Sequence, residues 1–234
     1  MRSVIGILSD AHGNDLALNR ALALLLSEGA ERIYFLGDAI GYIPSIATLD
    51  LLSQLGEKVQ YILGNHEAMM LKGSQDSSRE VFYKHKAIRS LLTKDQLANI
   101  ASWPTSIREQ ANGVSMLMLH GSPIDSTFGY VYPDTDLSIF SPNADWIFMG
   151  NTHRPFIREY AGRHFVNVGS CGMPRDDGRF GSVALFDTIK LDVRILRFDI
   201  SEDSRRVLER FSEVHSSVIE VYERRMPFIV GEIL

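Results

Sequence analysis

Residues 4–14, VIGILSDAHGN, join an apolar run typical of a buried strand to the polar cluster Asp10-Ala11-His12-Gly13-Asn14. The same order recurs four times downstream, where a polar group follows an apolar run. These groups are Gly37-Asp38, Gly64-Asn65-His66-Glu67, His120-Gly121 and Gly150-Asn151-Thr152-His153. Because parallel strands end at a common edge of a sheet, polar residues just past several strand ends can meet in space. The pattern predicts one site built from Asp, His and Asn side chains.

The chemistry of these side chains points to divalent cations. Carboxylate, imidazole and amide groups are ligands of hard-to-borderline metals, and one aspartate can bridge two ions. Asp10 and His12, two positions apart, are expected to turn toward one side on an extended backbone. Taken singly, Asp10, Asp38 and Asn65 could each be turn or cap residues beside glycine, and His120 could be a core histidine. Their shared order favours a two-metal hydrolase.

Apolar periodicity predicts alternating strands and helices in the first third of the chain. The predicted strands are Val4–Ser9, Arg32–Leu36 and Val59–Leu63, and the predicted helices are about Asn14–Glu28 and Ile46–Leu55. This alternation is typical of parallel β-α-β units. Residues 68–104 contain no clear strand and carry apolar residues at helical spacing, which predicts a helical insertion.

The remainder of the chain predicts short strands and then helices. The predicted strands are Ser106–Glu109, Val114–Leu119, Trp146–Met149, Ile157–Tyr160, Arg163–Val168, Ser182–Asp187 and Val193–Phe198. Short runs linked by turns favour meandering antiparallel pairs, and residues 202–226 favour one or two charged C-terminal helices. Because no repeat or linker interrupts the pattern, we predict a single domain over residues 1–234.

Composition narrows the class of protein. The chain has 234 residues, of which 45% are hydrophobic and 23% charged, as in ordinary globular proteins. A net charge of −5 without a basic stripe argues against a nucleic-acid partner.

The cysteine content and the apolar runs bear on where the protein is found. Cys171 is the only cysteine, which excludes an intrachain disulfide and favours a reducing compartment. The run Val4–Leu8 is too short for a signal-peptide core, and no stretch reaches the ~18 apolar residues of a membrane helix. We expect a soluble, cytoplasmic protein.

The ordered polar groups resemble the motif series of the calcineurin-like metallophosphoesterase superfamily: D-x-H, G-D, G-N-H-[DE], H and G-H-x-H. The resemblance extends to Gly37-Asp38-Ala39-Ile40-Gly41-Tyr42, His120-Gly121-Ser122-Pro123, Asn167-Val168-Gly169-Ser170 and Pro174-Arg175-Asp176. It is strongest to the small single-domain prokaryotic branch and covers roughly residues 4–187. It implies an α/β fold, a four-layer α-β-β-α sandwich of two mixed sheets flanked by helices.

The resemblance also implies roles for individual residues. The first metal would be held by Asp10, His12, Asp38 and His153, and the second by Asp38, Asn65, His120 and Asn151. His66 matches the catalytic histidine, which stabilises developing charge or protonates the leaving oxygen. Asn14 and Arg175 are candidates for contact with substrate phosphate. His85, His164 and His215 match no motif, so we expect them to be surface or structural residues.

The activity implied is hydrolysis of a small phosphodiester or phosphomonoester. Two divalent metals (Mn, Fe, Zn, Ni or Mg) ~3.5–4 Å apart would activate a bridging hydroxide that attacks phosphorus in line. Asn151 stands where the family motif has histidine. Because an amide oxygen is a harder and weaker ligand than imidazole, the second site should prefer Mn²⁺ or Mg²⁺ over Zn²⁺, and Mn²⁺ is favoured.

Two other functions occur within the family. The departure at Asn151 favours a scaffold with a degenerate metal site that acts through protein–protein contact. The other motif residues are intact, which favours an enzyme. Protein-phosphatase activity is the second alternative, but the chain lacks the G-D-x-x-D-R-G motif of that branch. A nuclease is a further and weaker hypothesis, because the acidic chain has no basic stripe or aromatic platform for a polynucleotide.

Overall fold

The computed structural model describes residues 4–73 and 77–234. The first elements are β1 (Val4–Leu8), α1 (Asp15–Ser27), β2 (Arg32–Phe35), α2 (Ala47–Ser53) and β3 (Val59–Tyr61). Each element predicted here is present, with ends that differ from the prediction by at most two residues. Helix α1 begins where the Asn14 side chain accepts a hydrogen bond from the Ala17 N–H.

Four helices lie in or overlap the segment predicted as a helical insertion. They are α3 (Asn65–Lys72), α4 (Ser77–Tyr83), α5 (His85–Leu91) and α6 (Lys94–Ala101). Met70 of α3 and Ile88 of α5 are buried in the apolar cluster that also contains residues of α1 and α2. Arg89 fastens α5 to the end of α3 by donating a hydrogen bond to the Met70 carbonyl at 2.9 Å. These helices therefore pack against the main core.

The second half of the chain supplies most of the strands. They are β4 (Ser106–Ala111), β5 (Val114–Leu119), β6 (Trp146–Met149), β7 (Phe156–Tyr160), β8 (Arg163–Asn167), β9 (Phe180–Asp187) and β10 (Asp192–Asp199). Two helices, α7 (Ser201–Leu208) and α8 (Ser216–Glu223), and the short strand β11 (Glu232–Ile233) follow. β11 was not predicted, because two residues are too few to carry a periodic pattern.

The strands form two sheets, with orders β11-β10-β9-β1-β2-β3 and β4-β5-β6-β8-β7. β1, β2 and β3 pair in parallel, as the alternation predicts. The predicted antiparallel meander in the second half was wrong in part, since β5–β6 and β6–β8 pair in parallel. Residues 120–145 connect β5 to β6, and a connection of a dozen or more residues is long enough to return the chain for a parallel pairing.

The two sheets pack face to face around an apolar layer. Ile5 and Ile7 of β1 point into this layer, where they meet residues of the second sheet such as Met118 and Phe148. Leu8 belongs to the cluster on the helical side, as the two-residue period of a strand requires. The predicted fold class of two mixed sheets flanked by helices is confirmed. The shared inner layer supports the proposal of one domain.

The outer face of the second sheet is covered by the long connection between β5 and β6. Val131, Leu137, Phe140 and Ala144 of this connection pack on Phe165 and its neighbours. One turn of 3-10 helix, Leu137–Ile139, lies in this layer. Within residues 4–73 and 77–234, no helix combines the length and apolar character needed to cross a bilayer.

Candidate metal centre

The predicted ligands lie just past the carboxyl ends of strands from both sheets. Asp10 and His12 follow β1, Asp38 follows β2, Asn65 follows β3, His120 follows β5, and Asn151 and His153 follow β6. All seven side chains are buried, with exposed fractions between 0% and 7%. The structure therefore brings together, at one edge of the sandwich, residues that are up to 143 positions apart.

Several of these residues adopt a backbone conformation that is costly for a side chain. Asp10, His12, Asp38, Asn151 and His153 have φ values of 59°, 50°, 59°, 63° and 56°. The backbone at Asp10 and His12 is thus left-handed, and the expected extended conformation was wrong. Non-glycine residues in this region cost on the order of 1–3 kcal/mol each and concentrate at functional sites. The strain turns the side chains inward immediately after each strand.

Asp10, His12 and His153 form a first cluster of ligand atoms. The Nε2 atoms of His12 and His153 are 3.1 Å apart, and Asp10 Oδ1 lies 3.6 Å and 3.3 Å from them. His12 Nδ1 lies 3.0 Å from the Ile40 carbonyl and His153 Nδ1 lies 2.6 Å from the Met173 carbonyl. Because a carbonyl only accepts, both rings carry their proton on Nδ1 and direct an Nε2 lone pair at each other. A cation between them removes this repulsion.

One further atom of the first cluster lacks a hydrogen-bonding partner. Asp10 Oδ1 is the buried side-chain oxygen or nitrogen that makes no hydrogen bond within the part of the chain that the structure describes. Leaving a buried carboxylate oxygen unpaired costs free energy. The donor set of two imidazoles and a carboxylate therefore fits a divalent cation.

Asp38, Asn65 and His120 form a second cluster. Asn65 places one amide atom 2.9 Å from His120 Nε2 and 2.8 Å from Asp38 Oδ2. His120 Nδ1 lies 2.7 Å from the Leu36 carbonyl, so Nδ1 donates there and Nε2 is the nitrogen that a cation would take in place of a proton. With its oxygen in this place, Asn65 would face two other acceptors. A divalent cation between the three atoms makes that orientation stable, so the second cluster also fits a metal.

Asp38 lies between the two clusters. Its Oδ2 is 3.7 Å from His12 Nε2 and 3.4 Å from His120 Nε2. Among the described residues, groups with ligand atoms close enough to share an ion include Asp10–His12–His153 and Asp10–Asp38–His120. This position is the one that a bridging carboxylate requires.

Glu67 fixes the loop that carries Asp38. Its carboxylate accepts hydrogen bonds from the N–H groups of Asp38 at 2.8 Å and Gly64 at 3.1 Å, while Asp38 Oδ1 accepts from the His66 N–H at 2.9 Å. Gly64 is required at this point, because a Cβ there would lie 2.1 Å from Asp38 Oδ1. Sequence analysis assigned Glu67 no role, although glutamate two residues after the first residue of a helix is typical of N-terminal capping.

The electrostatics of the site favour positive charge. Burial alone lowers the pKa of His120, but the carboxylates of Asp38 and Asp10 outweigh it and raise the pKa to about 9. Burial likewise acts to raise the pKa of Asp10, yet His153 and His12 hold it well below its usual range. The site thus keeps the carboxylates of Asp10 and Asp38 ionised without solvent, which a bound cation would reinforce.

Asn151 occupies the same part of the site. Its backbone N–H donates to Asp10 Oδ2 at 3.1 Å, and its Nδ2 donates to the Gly129 carbonyl at 2.8 Å. The amide nitrogen is therefore engaged, and the oxygen is the atom left to face a cation. The Gly129 carbonyl thus accepts a hydrogen bond from Asn151, as other backbone carbonyls accept hydrogen bonds from the ligand histidines.

Replacing Asn151 with histidine is expected to tighten the second metal site. A histidine here could donate Nδ1–H to the Gly129 carbonyl and direct Nε2 to the ion, and imidazole is the better donor to transition metals. Titration of Zn²⁺ and Mn²⁺ into wild type and Asn151→His measures the second dissociation constant, which should fall by roughly 10-fold or more for Zn²⁺. Unchanged affinity in a folded variant would mean that Asn151 points away from the metals.

His66 lies beside both clusters, at the start of α3. Its ring centroid is 4.8 Å from that of His12 and 4.7 Å from those of Tyr42 and Tyr83. A ring nitrogen of His66 lies within 4.8 Å of ligand atoms of His12 and Asp38. Gly41 (φ 100°) makes room for the ring, because a Cβ there would lie 2.1 Å from His66 Nδ1.

His85, expected to be a surface or structural residue, is a second residue of this site, besides Glu67, to which sequence analysis assigned no role. It is 3% exposed, and its Nε2 lies 3.1 Å from His66 Nδ1. It matches no motif and comes from the insertion, so no strand end marked it. His164, by contrast, stacks on Trp146 at 3.9 Å, and the His215 side chain accepts from the Ser217 N–H at the start of α8. Those two histidines have the structural surroundings expected of them.

The two residues predicted to contact phosphate differ in their surroundings. Asn14 is fully buried, and its amide nitrogen donates to the Gly172 carbonyl and to Ser204 Oγ at 3.0 Å and 3.1 Å. Since its oxygen caps α1, Asn14 has no group left for substrate, and we withdraw that assignment. Arg175 is half-buried and donates to the Tyr42 hydroxyl at 2.8 Å. Burial is the largest cause of the lowered pKa of His153, and the nearby Arg175 guanidinium is the next largest.

Comparison with known proteins places this geometry in a family context. A family model of the calcineurin-like phosphoesterase superfamily domain matches residues 4–190. The chain is 28% identical over 260 residues to the uncharacterized protein MJ0912 of Methanocaldococcus jannaschii, covering 99% of this chain and 97% of that protein. A crystal structure of a metallophosphoesterase from Sphaerobacter thermophilus superposes with a TM-score of 0.76 at 21% identity, covering 95% of this chain and 99% of that one. The hypothetical protein PH1004 from Pyrococcus horikoshii gives a TM-score of 0.78 at 18% identity, covering 99% of both chains.

Proposed function

Because this chain belongs to the calcineurin-like phosphoesterase superfamily, we propose that it hydrolyses a small phosphodiester or phosphomonoester with two divalent cations. Asp10, His12 and His153 would hold one cation, Asn65, His120 and Asn151 would hold the other, and Asp38 would serve both. The observation that carries the proposal is the convergence of ligand atoms in a buried space. Three histidines whose Nδ1 atoms face backbone carbonyls direct their Nε2 atoms at two aspartates, as a metal requires.

When bound, the cations polarise the phosphoryl oxygens and make a water molecule acidic enough to attack phosphorus at neutral pH. The chain's own contribution is to hold the ligands rigidly, through strained backbone and hydrogen bonds to carbonyls. We favour Mn²⁺, because Asn65 and Asn151 add neutral, hard oxygen donors to the second site. Arg175, beside Tyr42, is placed to attract an anionic substrate toward the edge of the site.

His66 supplies a hydrogen bond rather than a nucleophile. Burial, the largest cause, holds the pKa of His66 well below its usual range. A neutral imidazole N–H can donate to the leaving oxygen as its bond to phosphorus breaks, which stabilises the developing charge. Cys171, the only thiol of the chain, is fully buried and burial raises its pKa. Attack by water, without a covalent intermediate, is therefore the route we propose.

The proposal is tested by removing and restoring metal. Protein stripped with a chelator should show no turnover of 4-nitrophenyl phosphate or bis(4-nitrophenyl) phosphate. Adding Mn²⁺, Mg²⁺, Zn²⁺, Fe²⁺ or Ni²⁺ singly should restore it, most strongly with Mn²⁺. If the protein is instead a scaffold, it should hydrolyse neither substrate, whether or not it binds metal. Failure of every metal to support hydrolysis of either substrate would favour that alternative.

A further inference from the structure

The helical insertion supplies the partner of His66. His85 begins α5, and its Nε2 lies 3.1 Å from His66 Nδ1, within hydrogen-bonding distance. The ring centroids are 5.1 Å apart with a 76° angle between planes. Both histidines are 3% exposed, so water cannot readily replace this contact. His66 Nδ1 is thus already engaged, which leaves Nε2 as the ring nitrogen that can serve the substrate.

A hydrogen bond between two neutral imidazoles determines which nitrogen carries each proton. One nitrogen of the pair donates and the other accepts. If His85 Nε2–H donates to His66 Nδ1, then His66 carries its own proton on Nε2. An Nε2–H is what His66 needs in order to donate a hydrogen bond toward the substrate. The opposite arrangement would leave His66 Nε2 as a bare acceptor facing negatively charged oxygen atoms.

The position of His85 is fixed from several sides. The Glu80 carboxylate accepts hydrogen bonds from the N–H groups of Lys86 and Ala87, at 2.8 Å and 3.4 Å, at the start of α5. Ile88, one turn further along, is fully buried in the main core. Tyr83 contacts the rings of both His66 and His85, with centroids 4.7 Å and 5.2 Å away. The insertion therefore fixes His85 through hydrogen bonds at the start of α5, through the buried Ile88 and through contact with Tyr83.

We infer that His85 is a positioning residue for the phosphoester chemistry: it donates a hydrogen bond to His66 and so fixes the orientation and the Nε2–H tautomer of that ring. The inference rests on the proposed function, in which His66 donates to the leaving oxygen. It assigns the insertion a direct part in the active site. The rival account is that His85 only fills space beside His66, in which case any ring of similar size would serve.

Two substitutions separate these accounts. His85→Phe keeps a ring but removes the hydrogen bond, whereas His85→Gln keeps an N–H near the position of Nε2. We expect His85→Phe to lower kcat roughly 10–100-fold, the range observed for outer partners of metal-site histidines, with KM and metal stoichiometry unchanged. His85→Gln should retain most of the activity. His164→Gln, at a half-buried histidine stacked on Trp146, is the matched control and should equal wild type.

A double-variant comparison tests whether His85 acts through His66. In the His66→Ala background, His85→Phe should cause no further loss, because residues that act as a unit are not additive. If His85→Phe matches wild type in kcat, or if the losses add in the double variant, the inference is wrong. A folded His85→Gln that is as impaired as His85→Phe would equally contradict it.

The tautomer itself can be observed without turnover. Two-bond ¹H–¹⁵N correlation spectra of metal-free protein, with His66→Ala used for assignment, distinguish Nδ1–H from Nε2–H. We expect His66 as the Nε2–H tautomer in wild type and His85→Gln, and a mixture in His85→Phe. An Nδ1–H tautomer in wild type would overturn the inference. Because this readout needs no substrate, it stands apart from any failure of the proposed hydrolysis.

Discussion

Asp38→Asn is expected to lose both bound cations and nearly all turnover. Asp38 Oδ2 lies 3.4 Å from His120 Nε2 and 3.7 Å from His12 Nε2, between ligands of the two proposed metals. The change removes one negative charge from both sites at once, whereas any other ligand serves one ion. The loss of affinity should exceed about 100-fold, the upper end for outer partners of metal ligands. Metal analysis after gel filtration measures it.

A matched control separates the loss of a ligand from a general effect of the substitution. Asp192→Asn makes the same chemical change at an exposed position at the start of β10 and should bind metal as wild type does. Retention of two cations with wild-type affinity in Asp38→Asn would contradict the bridging role. Loss of only one cation would assign Asp38 to a single site.

His66→Ala is expected to keep both cations and lose turnover. The His66 side chain is not among the proposed ligands, while its backbone N–H, which donates to Asp38 Oδ1, survives the change. The expected loss in kcat is roughly 10²–10⁴-fold, the contribution of a positioned group that transfers or shares a proton. Steady-state rates and metal content measured on one preparation check the prediction, with His164→Ala as control.

The opposite pattern would refute the division of roles. If His66→Ala emptied the metal site and kept residual activity in proportion to its metal content, His66 would be a ligand rather than a donor to the substrate. We also expect His66→Ala to lose less kcat on a substrate with a good leaving group than on one with a poor leaving group, because 4-nitrophenolate needs less stabilisation than an alkoxide.

The ligand series could be predicted because each member follows an apolar run. Asp10, Asp38 and Asn65 each lie just past a short apolar run that predicts a buried strand, and the parallel pairing of β1, β2 and β3 brings those ends together. The alternation also predicted the parallel β-α-β units, whereas the sandwich of two mixed sheets followed from the family resemblance; that fold class is confirmed.

Other features depend on contacts between distant segments. The parallel pairing of β5 with β6 is set by the long connection between them, which periodicity does not describe. His85 lies beside His66 only because α3 and α5 pack together. The Asn14 amide nitrogen donates its hydrogen bonds to Gly172 and Ser204, which are far along the chain. No local pattern marks such residues, so their roles required the structure.

The proposed chemistry requires two cations between these buried side chains. Crystals of protein equilibrated with Mn²⁺, measured at a wavelength where manganese scatters anomalously, show whether they are there. We expect two anomalous peaks, one bounded by Asp10, His12 and His153, the other by Asn65, His120 and Asn151, with Asp38 in contact with both. A fully Mn²⁺-equilibrated crystal with no peak within bonding distance of these residues, or with both peaks elsewhere on the protein, would contradict it.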